Sequence, residues 1–415
     1  MRKAKRRNAQ SQPTAARAEF RDLERYRWLF FLRPYAPSDG APAYTLPDGF
    51  VDALNAAGAW LGWSEGALLR PDLHTAPADF SQRLVVAPAA EWREHNGTLR
   101  TLEARTLLDA CYLQLGAAIE GALAPDSLRA LQNAFPAVDA GEQLLGVAEC
   151  WCLMLAAGDP DEPALQDALE RLALPPDGYL TFATQGGLLA LYPDALVACI
   201  LYAPAQTQPM SVLLHQLLPP LLLNLLKIRL LRGQYPPFKA QVAQHEAHLE
   251  HLMAQAREAH RLSIEQIEQH SVQLARQQAH YLEALSQIEE WLHTLKTLQD
   301  NLRRLLRDPL WYDGDESAPA RRLLEPVQLL IDQLQSDLHY FHITRQQADL
   351  HLQSLNTASG VRIAKWNRRI TLLVGIFVVL ELPQAFPELT LTARLALIAA
   401  GALVLIAGNW YFTRR

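Results

Sequence analysis

The residues with the clearest potential for chemistry lie in a histidine-rich segment at 244–251, which reads QHEAHLEH. A zinc protease requires HExxH, because histidines four residues apart share one face of a helix and can bind the same ion. Here His245 and His248 are three residues apart, and with His251 they drift around a helix. We therefore interpret these histidines as a solvated helix surface, and we predict no metal ion and no other cofactor.

The remaining reactive residue types do not form a catalytic motif. The pair Glu94-His95 has no nearby third residue to complete a catalytic arrangement, and the sequence contains neither a P-loop nor GxGxxG. The cysteines show no zinc-finger spacing, and the closest two are C-x-C rather than C-x-x-C. We predict a protein that is not an enzyme, with buried free thiols in a reducing compartment. The cysteines are Cys111, Cys150, Cys152 and Cys199.

The charge of the chain gives no general reason to expect a nucleic-acid partner, since the net charge is −6 over 415 residues. The exception is the N-terminus, MRKAKRRNAQSQPTAAR, which is basic and polar. No apolar segment follows it, so it is not a secretory signal peptide. We interpret residues 1–19 as a disordered tail, with contact to anionic lipid or nucleic acid as the alternative.

Residues 20–235 have the mixed pattern of one α/β domain, with a sheet that carries helices. A short aromatic run, YRWLFFL at 26–32, is closed by Pro34 and predicts a strand. The turn residues at 185–187 separate two apolar runs and predict a hairpin. Helices are predicted at 48–61, 98–119 and 162–172, a further strand at 195–202, and a buried run of either type at 144–155.

The leucine-rich segment 212–231, VLLHQLLPPLLLNLLKIRLL, is long enough to span a bilayer. Lys227, Arg229 and the Pro219-Pro220 pair argue against a span, because charges are costly in lipid. We therefore favour a buried or interfacial helix and keep a transmembrane helix as the alternative.

Residues 239–368 have the seven-residue periodicity of a coiled coil. One apolar series ends at an Asp-Pro pair, and a second follows the turn at 313–315. A short turn between two long heptad helices predicts an antiparallel helical hairpin, and the seams favour a homo-oligomer. The first series is Ile267, Leu274, Tyr281, Ile288, Leu295 and Leu302, and the second is Leu324, Val327, Ile331, Leu334, Leu338, Phe341, Ala348, Leu352 and Leu355.

Residues 369–415 predict a transmembrane hairpin of two helices. Its apolar segments are 370–382 and 389–412, separated by Pro383 and Pro387. Basic residues precede the first segment and follow the second, so the positive-inside rule places both ends in the cytosol. This predicts a multi-pass protein of the inner (plasma) membrane with cytoplasmic N- and C-termini. A pair of buried helices in a soluble protein is the alternative.

Two sets of side chains would define how this hairpin meets the membrane. Glu381 and Arg394 lie at its outer end, where they either reach the lipid headgroups or form a charged ring at a pore mouth. The membrane-interface residues on the cytosolic side are Lys365, Trp366, Arg368, Arg369, Trp410, Tyr411, Arg414 and Arg415.

The general layout resembles CorA-type divalent-cation channels, which join a cytosolic α/β domain to long helices and two spans. That family carries Gly-Met-Asn at the outer end of its first span, where this chain has Glu381-Leu382-Pro383-Gln384. The resemblance implies a CorA-like ion channel or transporter. Because the motif is missing, the family's ion selectivity does not carry over.

Three segments resemble the caspase- and TPR-repeat-associated (CATRA) proteins of bacterial conflict systems. They are 26–40 (YRWLFFLRPYAPSDG), 94–115 (EHNGTLRTLEARTLLDACYLQL) and 218–229 (LPPLLLNLLKIR). The resemblance implies a membrane-anchored component of a defence system with a caspase-like or TPR-repeat partner. It brings no catalytic residue.

The predicted fold class is an α+β cytosolic domain followed by a long antiparallel helical coiled-coil hairpin and a C-terminal two-helix transmembrane hairpin. Its boundaries are 1–19, 20–235, 239–368 and 369–415. The predicted function is a membrane-anchored, non-enzymatic sensing or partner-binding protein, whose hairpin anchors it or forms a pore. The CorA-like channel is the alternative. The expected partners are the lipid bilayer, further copies of the chain and a caspase-like or TPR-repeat protein, with no nucleic acid.

Overall fold

The computed structural model describes residues 18–33, 35–38, 41–44, 46–62, 92–95, 97–107, 109–121, 124–137, 143–257, 262–312, 314–381, 395–396 and 398–404. The chain forms two compact units. The sheet unit comprises Met1–Gln234 and Leu292–Asp332. The helical unit comprises Tyr235–Trp291 and Gln333–Arg415.

All the strands in the described part of the chain lie in the sheet unit. Among the described residues they are β1 (Phe20–Leu32), β2 (Tyr35–Ser38), β3 (Ala41–Tyr44), β4 (Arg93–His95), β5 (Thr98–Leu107), β6 (Ala110–Glu120), β7 (Leu144–Leu155), β8 (Leu180–Thr184), β9 (Gly187–Tyr192) and β10 (Val197–Tyr202). Eight of them form a mixed sheet in the order β4-β5-β6-β1-β7-β10-β9-β8, and β2 pairs with β3 separately. Neighbouring strands of the large sheet are antiparallel except β7 and β10, which are parallel.

Three of the described helices lie between strands in the sequence, and the three longest come after the last described strand. Those described are α1 (Asp48–Trp60), α2 (Pro125–Gln132), α3 (Glu162–Arg171), α4 (Thr207–Val212), α5 (Leu218–Ala256), α6 (Ile264–Leu306) and α7 (Ala318–Glu381). These elements confirm the predicted strands at 26–32 and 195–202, the helices at 48–61 and 162–172, and the hairpin turn at 185–187. Residues 144–155, which the sequence left open between strand and helix, form strand β7.

The central strand β1 is covered on both faces. Its side chains alternate, so Leu29 and Phe31 pack into one apolar cluster with Phe50 of α1. Trp28 and Phe30 point to the opposite face, and both are fully buried. A strand buried on both faces is apolar along much of its length.

The segment 98–119, which was predicted to be helical, forms β5 and β6 instead. These strands pair in register from Leu107 opposite Ala110 to Leu99 opposite Ala118. Residues 110–118 are all buried. The helical prediction is wrong because β6, buried on both faces, reads as an almost continuous apolar run, and Leu99, Leu102 and Leu107 of β5 have a spacing that a helix also allows.

One described helix, Pro204–Ala256, is long and apolar enough to span a membrane, and it includes α4, a π-helical turn at Leu213–Leu217 and α5. However, 67% of its most apolar window is buried within the protein. Leu226 lies against β7, since a Cβ added at Gly146 would come 2.6 Å from its Cδ1. The burial agrees with the interpretation of 212–231 as a buried helix.

The helical unit packs parts of three helices together, and not the two-helix coiled-coil hairpin that the heptads predicted. Thr344 of α7 donates its hydroxyl to the carboxylate of Glu246 in α5 at 2.6 Å. Gln277 Nε2 of α6 lies 3.0 Å from His245 Nδ1 of α5. The predicted heptad positions are buried, as in Tyr281 of α6, with the exception of Leu352, which is partly exposed.

The third helix is present because α5 does not stop at Pro236-Pro237, which lie inside it. Beyond these prolines α5 presents a third apolar stripe to the unit. A stripe of this kind must be covered, so α5 packs with α6 and α7. Its buried members are Val242, Leu249, Leu252, Met253 and Ala256.

The two-helix transmembrane hairpin predicted for 369–415 is wrong for the described part of the chain. Helix α7 continues to Glu381, and its uncharged stretch after Arg369 is about 16 Å long at 1.5 Å per residue. The hydrocarbon core of a bilayer is about 30 Å thick, so this stretch covers about half of it. Of the second predicted span, residues 395–396 and 398–404 are described.

Candidate functional site

The C-terminal end of α7 exposes apolar side chains over more than half of its circumference. Consecutive residues turn by about 100°, so these positions cover a little more than half of the helix surface. The remaining face carries Leu372, Gly375 and Val379, which are half-buried. A helix that is apolar all round belongs in a protein core or in a membrane. The exposed side chains are Ile370, Leu373, Val374, Ile376, Phe377 and Val378, between 47% and 65% exposed.

Basic side chains occupy the two turns of α7 that precede this apolar segment. Arg362, Lys365 and Arg369 follow a spacing of three and four residues, which places them on one face, whereas Arg368 lies on another. Trp366 is 57% exposed in the same turns. Cations and a tryptophan directly before an apolar segment are typical of a membrane–water interface.

The structure brings together four of the predicted membrane-interface residues, Lys365, Trp366, Arg368 and Arg369, on α7. Glu381 is the exposed last residue of this helix. A pore-mouth pair that includes Glu381 stays a prediction. The predicted residues that lie outside the described part of the chain are Arg394, Trp410, Tyr411, Arg414 and Arg415.

A buried polar cluster on the sheet is a second candidate site, which the sequence analysis missed. Trp28 Nε1 donates to Gln114 Oε1 at 3.1 Å, and Gln114 Nε2 lies 2.9 Å from His215 Nδ1 in the π-helical turn. Glu103 lies 3.7 Å from His215 and accepts from Arg105 Nη2 at 2.6 Å. Such turns are frequent at functional sites. The available signal was a glutamine inside one apolar run and a histidine inside another.

The hydrogen bonds of this cluster determine the protonation state of His215. The indole nitrogen of Trp28 can only donate, so Gln114 accepts through Oε1 and donates through Nε2 to His215 Nδ1. His215 is therefore neutral, with its proton on Nε2. Burial lowers the pKa of His215, and Glu103 opposes that shift. Through this hydrogen bond His215 links the π-helical turn to the sheet.

Glu24, on the same face of β1, makes the stability of the sheet unit depend on pH. Tyr26 donates its hydroxyl to Glu24 Oε2 at 2.7 Å. Burial raises the pKa of Glu24 above its usual value, against the effect of that hydrogen bond. The folded state therefore holds the proton of Glu24 more tightly than the unfolded chain does. The resulting stabilisation is complete below the ordinary pKa of 4.5, and it is lost as the pH rises through the higher pKa of the folded state.

The Glu24→Gln variant is expected to be more stable than the unchanged chain at pH 7 and equally stable near pH 4. The reason is that glutamine keeps the acceptor for Tyr26 and cannot ionise. Urea denaturation at the two pH values measures the difference. Exposed Glu170 on α3 provides the control, since Glu170→Gln should change stability little at either pH. An equal effect of Glu24→Gln at both pH values would reject the assignment.

The histidine-rich segment does not converge on a metal site. His245 contacts Gln277, and His251 Nε2 lies 2.9 Å from Gln255 Nε2. Within the described ranges, no group of three His, Cys, Asp or Glu side chains could hold a metal ion. The four cysteines are buried free thiols, as predicted. Burial raises the pKa of Cys199 well above its usual value, which keeps this thiol unreactive.

No protein-family model matches this chain, and no match was found among curated proteins or among solved structures. A functional conclusion therefore rests on the geometry of the chain itself. The feature with the clearest physical consequence is the exposed apolar end of α7.

Proposed function

We propose that this chain is a membrane-bound, non-enzymatic protein, in which the sheet unit binds a partner and the end of α7 enters the lipid bilayer. The observation that carries the proposal is the exposed apolar segment directly after the basic turns of α7. In water such a contiguous apolar surface is unfavourable. At the centre of a bilayer each Leu, Ile, Phe or Val contributes about 0.3–0.6 kcal/mol of favourable transfer free energy.

The length of the apolar segment sets the depth of the proposed insertion. From Ile370 it reaches about 16 Å, against a hydrocarbon core of about 30 Å. The described apolar segment of α7 therefore covers about half of the hydrocarbon layer. Trp366 and the basic residues lie at the level of the headgroups, where aromatic and cationic side chains are favoured.

The basic residues also support a proposed orientation. Arg362, Lys365, Arg368 and Arg369 come before the apolar segment, on the side of the chain that carries the sheet unit. Positive residues next to membrane segments are enriched on the cytoplasmic side. We therefore place the sheet unit in the cytoplasm, at the inner (plasma) membrane. A reducing cytoplasm also suits four free cysteines.

The nature of the partner is proposed from the resemblance of three segments to CATRA proteins. On that basis the sheet unit binds a caspase-like or TPR-repeat protein of a bacterial conflict system. Assembly with further copies of the chain has separate support, because α7 exposes Tyr340, Ile343 and Leu350 at 56%, 44% and 65% along one face. The CorA-like alternative depends on two membrane spans, and no described residue adds support to it.

Replacing two exposed apolar residues with aspartate tests the membrane contact. A Val374→Asp, Phe377→Asp double variant should bind phospholipid vesicles at least tenfold more weakly than the unchanged chain. Each aspartate costs about 2.5–3.5 kcal/mol at the centre of a membrane helix. Flotation of the purified full chain with vesicles, after removal of detergent, measures the binding.

Leu329 provides a matched control, because it is 63% exposed on the same helix but lies outside the apolar segment. The Leu329→Asp variant should float with vesicles as the unchanged chain does. The proposal is wrong if the double variant binds as well as the unchanged chain, or if Leu329→Asp reduces binding as strongly.

A further inference from the structure

A cavity of about 620 Å³ lies beside the basic turns of α7 and the start of α6. Arg362, Lys365 and Arg369 line it from α7, together with Trp366. Ser263 and Glu265 line it from the first turn of α6. The described lining has three cations against one carboxylate, so it is positively charged and suits an anionic ligand.

The cations that line this cavity come from α7, and the start of α6 is capped by its own side chains. Ser263 Oγ accepts the backbone N–H of Gln266 at 3.2 Å, and Gln266 Oε1 accepts the backbone N–H of Ser263 at 2.8 Å. This reciprocal pair is a capping box, which satisfies amide groups that a bound anion would otherwise need. The ligand must therefore be held by the side chains of α7.

The spacing of the cations indicates the size of the anion. Arg362 and Arg369 are seven residues apart on one face, which is about 10 Å along the helix, and Lys365 lies between them. A single phosphate contacts part of this row, whereas two phosphates reach all three cations. Guanidinium groups bind phosphate through paired hydrogen bonds, and an ammonium group binds it as a point charge.

We propose that this cavity binds a headgroup with two phosphate groups, carried by an anionic phospholipid. The inference rests on the proposed function, since the apolar end of α7 holds the cavity at the level of the headgroups. A dissolved diphosphate offers the same chemistry, but the lipid is favoured because its acyl chains continue along the apolar segment. Basic pockets beside membrane helices on the cytoplasmic side recognise headgroups of this kind.

Vesicles matched in surface charge separate this specific site from general electrostatic attraction. Phosphatidylcholine vesicles would contain either cardiolipin, with two phosphates per headgroup, or enough phosphatidylglycerol to give the same charge. The full chain is expected to bind the cardiolipin vesicles at least about fivefold more tightly. Equal binding to the two kinds of vesicle would overturn the inference and leave the membrane contact in place. No binding to either kind would contradict the proposed function as well.

Two neighbouring arginines provide the matched variants. Arg369→Gln should remove the preference for cardiolipin, because it deletes one wall of the cavity. Arg368→Gln makes the same change of charge one residue away and outside the cavity, so it should weaken binding to both vesicles alike and keep the preference. Loss of the preference in both variants would overturn the site.

Pyrophosphate distinguishes the lipid from a dissolved ligand. The preference for cardiolipin should persist when excess pyrophosphate is added, because the dissolved anion lacks the acyl chains that strengthen lipid binding. Loss of the preference under these conditions would assign the cavity to a dissolved diphosphate and overturn the lipid assignment.

Discussion

Replacing Gly187 with alanine is expected to destabilise the β8–β9–β10 end of the sheet by about 4 kcal/mol or more. Gly187 begins β9 with φ of +117°, a conformation that L side chains rarely adopt. An alanine Cβ would also lie 2.1 Å from the carbonyl oxygen of Leu201 in β10. Because β9 and β10 are hydrogen-bonded neighbours, this clash cannot be relieved without disturbing the ladder between them.

Gly121 separates the backbone penalty from the clash. Its φ of +118° matches that of Gly187, but a Cβ there meets no atom within 4 Å. Gly121→Ala should therefore lose about 1–3 kcal/mol of stability, which is the cost of the strained backbone alone. Hydrogen–deuterium exchange of peptides around each glycine measures the free energy of local opening. Equal losses at the two sites would show that β10 yields to the added methyl group.

The Glu149→Gln variant is expected to lose about 1.5–3 kcal/mol of stability, the range for hydrogen bonds to charged groups, because Glu149 is partly buried with 21% of its side chain exposed. Glu149 on β7 accepts from Arg25 Nη2 at 2.6 Å and from Arg27 Nη2 at 2.7 Å. The side chain of Arg25 is 8% exposed, and its other guanidinium nitrogen donates to the carbonyl of Leu131 at 2.9 Å. Glutamine keeps the shape of Glu149 but leaves two neighbouring cations without their carboxylate.

A surface pair supplies the comparison for this charge deletion. Asp300 lies 3.7 Å from Arg303, and both side chains are more than 40% exposed. Asp300→Asn should therefore change stability by less than about 1 kcal/mol. Urea denaturation of both variants, followed by circular dichroism, gives the difference. If Glu149→Gln loses no more than Asp300→Asn, the cluster does not stabilise the fold.

The sequence alone determined which residues of the long helices are buried. Ile267, Leu274 and Tyr281 are buried as the heptads predicted, because residues seven apart lie on one face of a helix whatever that face contacts. The number of helices that share the contact was decided by tertiary structure. Helix α5 continues through Pro236-Pro237 and brings a third stripe, which no pattern within α6 or α7 contains.

The strands show the same division between local and non-local information. The hairpin at 185–187 was predictable because glycine at positive φ is a requirement of the turn itself. The helical prediction for 98–119 is wrong because β6 is buried on both faces and has no period of two, and the leucines of β5 have a spacing that a helix also allows. Whether a strand is buried on both faces depends on which helices pack against the sheet, and those helices can be distant in the sequence.

The apolar runs of α5 and α7 also show what the sequence alone leaves open. Leu221 in α5 is fully buried, whereas Phe377 in α7 is 65% exposed, although both lie in apolar runs. Composition measures the tendency to leave water, and only the tertiary structure shows whether protein has already covered the residue. The buried helix therefore belongs to the core, and the exposed one is the candidate for contact with lipid.

The two candidate sites were predictable to different degrees for a physical reason. Lys365 and Arg369 belong to one helix, and side chains four residues apart remain neighbours in any fold that keeps the helix, so the sequence alone determined their cluster. Gln114 and His215 lie 101 residues apart and meet through strand pairing and the packing of a helix on the sheet. That contact depends on non-local packing, so the tertiary structure alone decided it.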